Sequence, residues 1–147
     1  MMDAHIGKTV AEIRVGEEAY FAKTMTETDM MLFAGITGDL NQLPINGEFA
    51  RGSRYGQRVA HGMLTASFVT NILGMKLPGF GTLLRSFKVR FTAPVFLDDT
   101  VEIGVRVSAT DLAGNTATFE TWAVNQRGET VMRGSCVVTP PTALAPA

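Results

Sequence analysis

The sequence predicts an α+β fold in which an antiparallel sheet wraps around one long buried helix. Residues 62–75, from about Gly62 to Met75, are mostly apolar and carry no charge. A helix that is apolar on nearly every side is normally buried. Residues 83–138 alternate apolar and polar side chains between short turns, which is typical of consecutive antiparallel strands. Such a sheet supplies the cover that the helix needs.

Length and composition indicate one domain over residues 1–138. The chain has 147 residues, of which 46% are hydrophobic, enough for one core. Its 13 basic and 14 acidic side chains nearly cancel, so no excess positive field attracts nucleic acid. No apolar run approaches the roughly 18 residues that cross a bilayer, and the first residues lack the apolar stretch of a secretory signal. We expect a cytoplasmic protein with neither a nucleic-acid nor a membrane partner.

The sequence lacks the residues that a disulfide or a zinc site needs. Cys136 is the only cysteine, which excludes an intrachain disulfide and a multi-cysteine metal site. His5 and His61 are the only histidines, too few for a zinc site. We therefore expect no metal and no resident cofactor.

The first half of the chain is predicted to be mainly helical. The predicted segments are, in order, a surface arm over residues 1–12, a strand over 17–25 and a short helix over 30–34. Thr26 and Asp29 have the spacing of a capping box at the start of that helix. Gly35 and Gly38 are expected to stop it.

The next segment predicts a loop over residues 38–46 and then a second short helix. Pro44 disfavours helical backbone at the residue before it, so Leu43 is expected to be extended. Asn46 is expected to cap a helix that ends at Arg51. The central helix then ends at a Leu-Pro-Gly stop over residues 77–79.

The second half of the chain predicts the sheet. Strands are predicted over residues 83–91, 101–110, 116–125 and 130–138. Arg85 interrupts the alternation of the first of these, whereas the second alternates cleanly. Residues 139–147 have nothing to pack and are expected to form a flexible tail. An uncovered sheet face and an edge strand favour pairing with a second copy, so a homodimer is expected.

Three short blocks of sequence resemble one known family. They are Phe-Ala-Gly-Ile-Thr-Gly-Asp-Leu-Asn at residues 33–41, Tyr-Gly-Gln-Arg-Val-Ala-His-Gly-Met-Leu at 55–64, and Pro-Val-Phe with Asp-Asp at 94–99. Together they resemble the MaoC-like hot-dog dehydratases, of the (R)-specific enoyl-CoA hydratase type, over residues 17–138. The resemblance implies a hot-dog fold, reversible syn hydration of trans-2-enoyl-CoA, and acyl-CoA or acyl carrier protein thioesters as substrate or ligand.

The first block carries the catalytic residues that the resemblance implies. The family motif is Gly-Asp-x-Asn-Pro-x-His-x-Asp, and this chain matches it at Asp39 and Asn41. Gln42, Pro44 and Asn46 stand at its proline, histidine and final aspartate positions. Family members hold a water between the aspartate and the histidine. These two groups remove a proton from the water as it adds to C3, and they supply a proton to C2. Proline cannot titrate, so Asp39 is expected to act alone, with Asn41 bracing the loop.

The second block carries the residues that the resemblance places around the thioester carbonyl. The backbone amide of Gly62, at the start of the central helix, is expected to stabilise the thioester oxyanion. His61 is expected to support the catalytic loop and not to replace the missing base. Ser67 and Met63 are expected to border the acyl and thioester pocket. The structural alternative for Ser67 is a hydrogen bond to a carbonyl of its own helix.

Several polar side chains near the two blocks have two interpretations. Arg51, Arg54 and Arg58 are candidate contacts for coenzyme A phosphates or for an acidic carrier protein, or they are solvated cations. Gln42 and Asn46 could orient a water beside Asp39, although neutral amides supply no proton.

Three functions remain open from the sequence. The one favoured by the resemblance is a hydro-lyase, an enoyl-CoA hydratase or 3-hydroxyacyl dehydratase, that works without the family histidine. The second is a non-catalytic acyl-CoA-binding protein. The third is an acyl-CoA thioesterase, which no additional nucleophile in the sequence favours.

Overall fold

The secondary structure follows the predicted order. A computed structural model describes residues 5–143 of the chain. Its strands are β1 (Glu18–Thr24), β2 (Leu83–Phe91), β3 (Thr100–Asp111), β4 (Thr116–Asn125) and β5 (Thr130–Thr139). Its helices are α1 (Glu27–Thr37), α2 (Gln42–Ile45), α3 (Gly47–Arg51), α4 (Gly62–Ser67) and α5 (Val69–Met75). No helix in this part of the chain is long and apolar enough to cross a membrane.

The central helix consists of α4 and α5, which meet at Phe68. This residue keeps right-handed helical backbone angles, with φ of −65° and ψ of −21°, so the two segments continue one another. Ile72 is fully buried on the side that faces the sheet. The expectation of burial on every side is wrong for Met63, which is 54% exposed, and for the last helical residue Met75, which is 62% exposed.

One antiparallel sheet covers the central helix, with the strand order β1-β3-β4-β5-β2. Its inward side chains, such as Ile103 and Phe119, are fully buried. The α+β class and all of the predicted strands are confirmed, with strand ends that differ by at most one residue. The interruption predicted at Arg85 is a register shift between Leu84 and Ser86 on the edge strand β2.

Helix α1 is longer than predicted. The capping box is confirmed, since Thr26 Oγ1 accepts from the Asp29 amide at 3.1 Å and Asp29 Oδ2 accepts from the Thr26 amide at 3.0 Å. Gly35 does not stop the helix, which continues to Gly38 with a left-handed φ of 74°. An interior glycine costs a helix only about 1 kcal/mol relative to alanine, and two well-formed caps offset that cost.

Residues 38–46 are not the continuous loop that was predicted. The Asn41 side chain accepts from the Leu43 amide at 3.0 Å and so caps the short helix α2. Pro44 lies in its first turn, where an amide hydrogen has no partner within the helix, so proline is tolerated there. Leu43 is consequently helical and not extended.

Both ends of the described chain pack onto the fold. The Gly7 amide donates to the Phe80 carbonyl at 2.8 Å, which holds the predicted arm beside the end of the central helix. Pro140 and Pro141 are buried, and Asn115 Nδ2 donates to the Pro140 carbonyl at 3.3 Å. The segment predicted as a flexible tail therefore begins packed, and residues 144–147 lie outside the described residues.

An ion pair between the buried Asp99 and the half-exposed Arg127 fixes the turn before β3. Asp99, whose side chain is 6% exposed, accepts from Arg127 at 2.8 and 3.0 Å and from Gln126 at 2.6 Å. It also accepts from the Phe96 amide at 3.0 Å. Burial by itself would raise the pKa of Asp99, but these hydrogen bonds lower the pKa from 3.8 to about 2.

The Asp99 carboxylate is expected to make folding sensitive to acid. Because its pKa is lower in the folded state, its contribution of about 2 kcal/mol is complete above the unfolded pKa. That contribution is lost as the pH falls from about 4 towards about 2. Asp99→Asn should reduce the free energy of unfolding at pH 7 and flatten this dependence, as measured by urea unfolding. Asp98→Asn, at the neighbouring residue, should leave the slope unchanged; an equally steep slope in Asp99→Asn contradicts the prediction.

Candidate active site

The first two sequence blocks that resemble the family, at residues 33–41 and 55–64, meet in one cleft of about 300 Å³ between the α1–α2 segment and the start of α4. The predicted site residues that line it are Asp39, Asn41, Pro44, His61, Gly62 and Met63. Apolar side chains, including those of Phe33 and Phe91, complete its wall.

Asp39 lies at the rim of this cleft, directly after the left-handed cap Gly38. Its Oδ1 accepts from the Asn41 amide at 3.1 Å, which closes a tight turn. Its side chain is 52% exposed, so the carboxylate is accessible to water. One oxygen therefore braces the loop, while Oδ2 lies 3.8 Å from His61 Nε2.

His61 packs beneath the loop that carries Asp39. Its side chain is only 4% exposed, and its ring centre lies 5.0 Å from that of Phe33. Nε2 donates to the backbone carbonyl of Asp39 at 3.2 Å. Nδ1 is buried and has no hydrogen-bond partner among the described residues. The strongest contact of this imidazole thus holds the backbone at Asp39.

Gln42 and Asn46 point their amides at one another. Asn46 Nδ2 donates to Gln42 Oε1 at 3.0 Å, and Gln42 Nε2 donates to the Leu40 carbonyl at 3.3 Å. Asn46 Oδ1 also caps α3 through the Glu48 amide at 3.0 Å. Neither side chain lines the cleft, so the hypothesis that they orient a water beside Asp39 is not supported.

Arg58 ties the segment that carries Pro44 to α1. Its Nε donates to the Pro44 carbonyl at 2.6 Å, and its two terminal nitrogens bond Glu27 at 2.5 and 3.1 Å. The side chain is only 16% exposed. This arginine is therefore occupied within the fold, which argues against its predicted contact with a phosphate.

The other two arginines line different cavities. Arg51 forms an ion pair with Glu48 and shares a small cavity with Arg58. Arg54 donates to the Tyr55 hydroxyl at 2.6 Å and lines the mouth of a larger cavity. The predicted cluster of three cations is therefore divided, and Arg54 is the one that remains beside the central helix.

Ser67 differs from its expected surroundings, and an aromatic ring packs against Gly62. Ser67 Oγ donates to the Leu64 carbonyl at 2.6 Å within the helix and lines neither the cleft nor the larger cavity. A Cβ on Gly62 would lie 3.1 Å from the Phe91 ring, so this ring covers the start of the central helix. The sequence indicated Phe91 only as a strand residue, because no local pattern shows that its ring reaches the helix.

The larger cavity, of about 450 Å³, adjoins the cleft on the other side of Phe91. Thr65 in its wall is 2% exposed, and its hydroxyl has no hydrogen-bond partner among the described residues. No pattern in the sequence distinguishes Thr65 from the other polar residues of this mostly apolar helix.

The described residues offer no metal centre and no activated thiol. No group of three or more histidine, cysteine, aspartate or glutamate side chains in residues 5–143 could hold a metal ion. Burial raises the pKa of Cys136 to about 12, so this thiol stays protonated at neutral pH. The chemistry available at the cleft is that of a carboxylate, an imidazole and backbone amides.

Comparison with known proteins gives one consistent result. Residues 10–127 match the MaoC like domain. An (R)-specific enoyl-CoA hydratase from Rhodospirillum rubrum is 36% identical over 130 residues, which cover 88% of this chain and 90% of that protein.

Solved structures agree with that match. The (R)-hydratase from A. caviae involved in PHA biosynthesis superposes with a TM-score of 0.85 at 32% identity, covering 88% of this chain and 98% of that one. R-hydratase PhaJ1 from Pseudomonas aeruginosa, unliganded, gives a TM-score of 0.86 at 30% identity, covering 96% and 94%. The chain therefore belongs to the MaoC-like hot-dog dehydratase family, and the predicted hot-dog fold is confirmed.

Proposed function

We propose that the protein is an (R)-specific enoyl-CoA hydratase that uses Asp39 as its acid/base group. The observation that carries this proposal is the position of Asp39. Its carboxylate is open to water at the rim of a cleft that also holds His61 and Gly62. Relatives that share 30% or more identity over most of the chain bear the name of this activity.

The proposed reaction needs one proton acceptor that later becomes the donor. The Asp39 carboxylate takes a proton from water as the water oxygen bonds to C3 of the enoyl thioester. The electron pair of the double bond moves onto the thioester oxygen, which the Gly62 amide is expected to stabilise. C2 then takes the proton back from Asp39 on the same face. The water has been added syn, and the reverse sequence is dehydration.

A second candidate is an acyl thioester binding protein without turnover. Pro44 favours it, because this side chain stands in the cleft where the family motif has an imidazole. Loss of a positioned acid/base group typically costs about 10²- to 10⁴-fold in rate. Such a loss would leave binding intact while hydration falls below a useful rate.

One assay separates the candidates. Purified protein is mixed with crotonyl-CoA, and enoyl absorbance, free thiol and product configuration are followed. Loss of absorbance with formation of (R)-3-hydroxybutyryl-CoA supports the hydratase. Thiol release would instead indicate a thioesterase. Absence of both products, together with calorimetric binding of butanoyl-CoA, would indicate the binding protein.

We also propose a homodimer that pairs through the edge strand β2. Leu83 is 57% exposed and Leu84 37% exposed on this strand, so the edge leaves apolar side chains and backbone groups in contact with water. Sedimentation at micromolar concentration should give twice the mass of 15.8 kDa. Leu84→Lys should shift the equilibrium towards the monomer. A monomeric wild-type protein would contradict the proposal.

A further inference from the structure

The cleft beside Asp39 and the larger cavity beside Thr65 are neighbours with a shared wall. The cleft has about 300 Å³ and the cavity about 450 Å³. The residues that line both are Val59, Ala60, Gly62 and Phe91. The division of this space therefore depends on very few side chains.

Most of the shared wall is fixed by the backbone. Val59 pairs with Phe96 in an isolated bridge, and the Ala60 amide donates to the Val95 carbonyl at 2.8 Å. Gly62 contributes no side chain. These three positions cannot open or close the space between the two compartments without moving the chain.

Phe91 supplies the largest side chain of this wall. It is the last residue of the edge strand β2 and is 44% exposed. Three atoms of its ring lie 3.1 to 3.2 Å from the position that a Cβ on Gly62 would take. The ring therefore rests on the start of the central helix, in space that any larger residue at position 62 would fill.

We propose that Phe91 is the specificity-determining residue of the site. Its ring keeps acyl groups in the compartment of Asp39 and out of the larger cavity, so that short acyl thioesters bind best. Val95 and Val131 form an apolar part of the larger cavity, beside the hydroxyl of Thr65, and this apolar part suits a longer acyl chain once the ring is removed. The inference rests on the acyl thioester binding proposed above, and it does not require turnover.

Removing the ring should change chain-length preference by a measurable factor. Each methylene that leaves water is worth about fourfold in affinity. Octanoyl-CoA carries four more methylenes than butanoyl-CoA. If the opened cavity accepts even half of them, Phe91→Ala should improve the ratio of octanoyl to butanoyl affinity by at least about tenfold.

Calorimetric titration with butanoyl-CoA and octanoyl-CoA tests this directly, because saturated thioesters bind without reacting. Phe49→Ala is the matched control, since it removes an exposed phenyl ring of the same size from α3 but lines neither compartment. Phe91→Ala should shift the affinity ratio, and Phe49→Ala should not. An unchanged affinity ratio in Phe91→Ala, which includes an equal change in both affinities, would overturn the inference.

A second variant tests whether the shift in the affinity ratio comes from the position of the ring or from a general loosening of strand β2. Gly62→Ala places a methyl group against the Phe91 ring and should displace it, which shifts the ratio in the same direction. In the Phe91→Ala background the same substitution meets no ring and should add nothing. Additive shifts would contradict a shared mechanism.

The outcome is independent of the hydration assay. A shifted ratio without hydration upholds the role of Phe91 and removes the hydratase. Hydration with an unshifted affinity ratio upholds the hydratase and removes the role of Phe91. Failure of every variant and of the wild type to bind either thioester would overturn both proposals.

Discussion

Asp39→Asn is expected to abolish hydration of crotonyl-CoA. The carboxylate is the group at the cleft rim that can take a proton from water and return it to C2, whereas an amide can do neither. The loss should be about 10²- to 10⁴-fold. The rate of enoyl absorbance loss measures it.

The contacts around Asp39 indicate that Asp39→Asn leaves the loop folded. The Asn side-chain oxygen can still accept from the Asn41 amide, so the turn that Asp39 Oδ1 now closes at 3.1 Å should persist. The backbone carbonyl that receives His61 Nε2 is unaffected. Unchanged calorimetric affinity for butanoyl-CoA would show that the site is intact. An undiminished hydration rate would remove Asp39 from the mechanism.

The sheet was predictable because its signal is local. Alternation along β3 places Ile103 on the buried face and Glu102 on the exposed one, and that pattern needs no knowledge of the neighbouring strands. Capping is also local, as Thr26 and Asp29 illustrate. Helix α2 was missed because the rule that residues before proline are extended was applied to Leu43, whereas Asn41 caps a helix that begins at Gln42. A proline in the first turn removes that conflict.

The content of the site was only partly predictable. The motifs name Asp39 and His61, but no periodic pattern states that an imidazole 22 residues away donates to the Asp39 carbonyl. Arg58 was read as a phosphate ligand because its partner Glu27 lies 31 residues earlier in the chain. Phe91 was hidden for the same reason. Such contacts depend on tertiary packing, which a single sequence encodes only indirectly.

Pro44→His is expected to raise hydration by about 10²-fold or more, because a positioned acid/base group is typically worth that factor. Pro44 is buried and lines the cleft together with Asp39, so a side chain at this position faces the same space. The backbone should tolerate the change. Residue 44 lies in the first turn of α2, where an added amide hydrogen needs no helical partner, and the carbonyl that Arg58 binds at 2.6 Å is retained.

Pro44→Gln is the control that separates the imidazole from relaxation of the loop. Both variants release the proline ring, which should cost about 0.4–1 kcal/mol of stability through a freer unfolded chain, but glutamine carries no titratable proton. Hydration that rises only in Pro44→His, and disappears again in the Asp39→Asn double variant, would mean that the two groups work as a pair across the cleft. An equal rise in both variants would assign the gain to loop flexibility. No rise in either would mean that the cleft no longer aligns a substrate for water addition, and the binding protein would then be the better description.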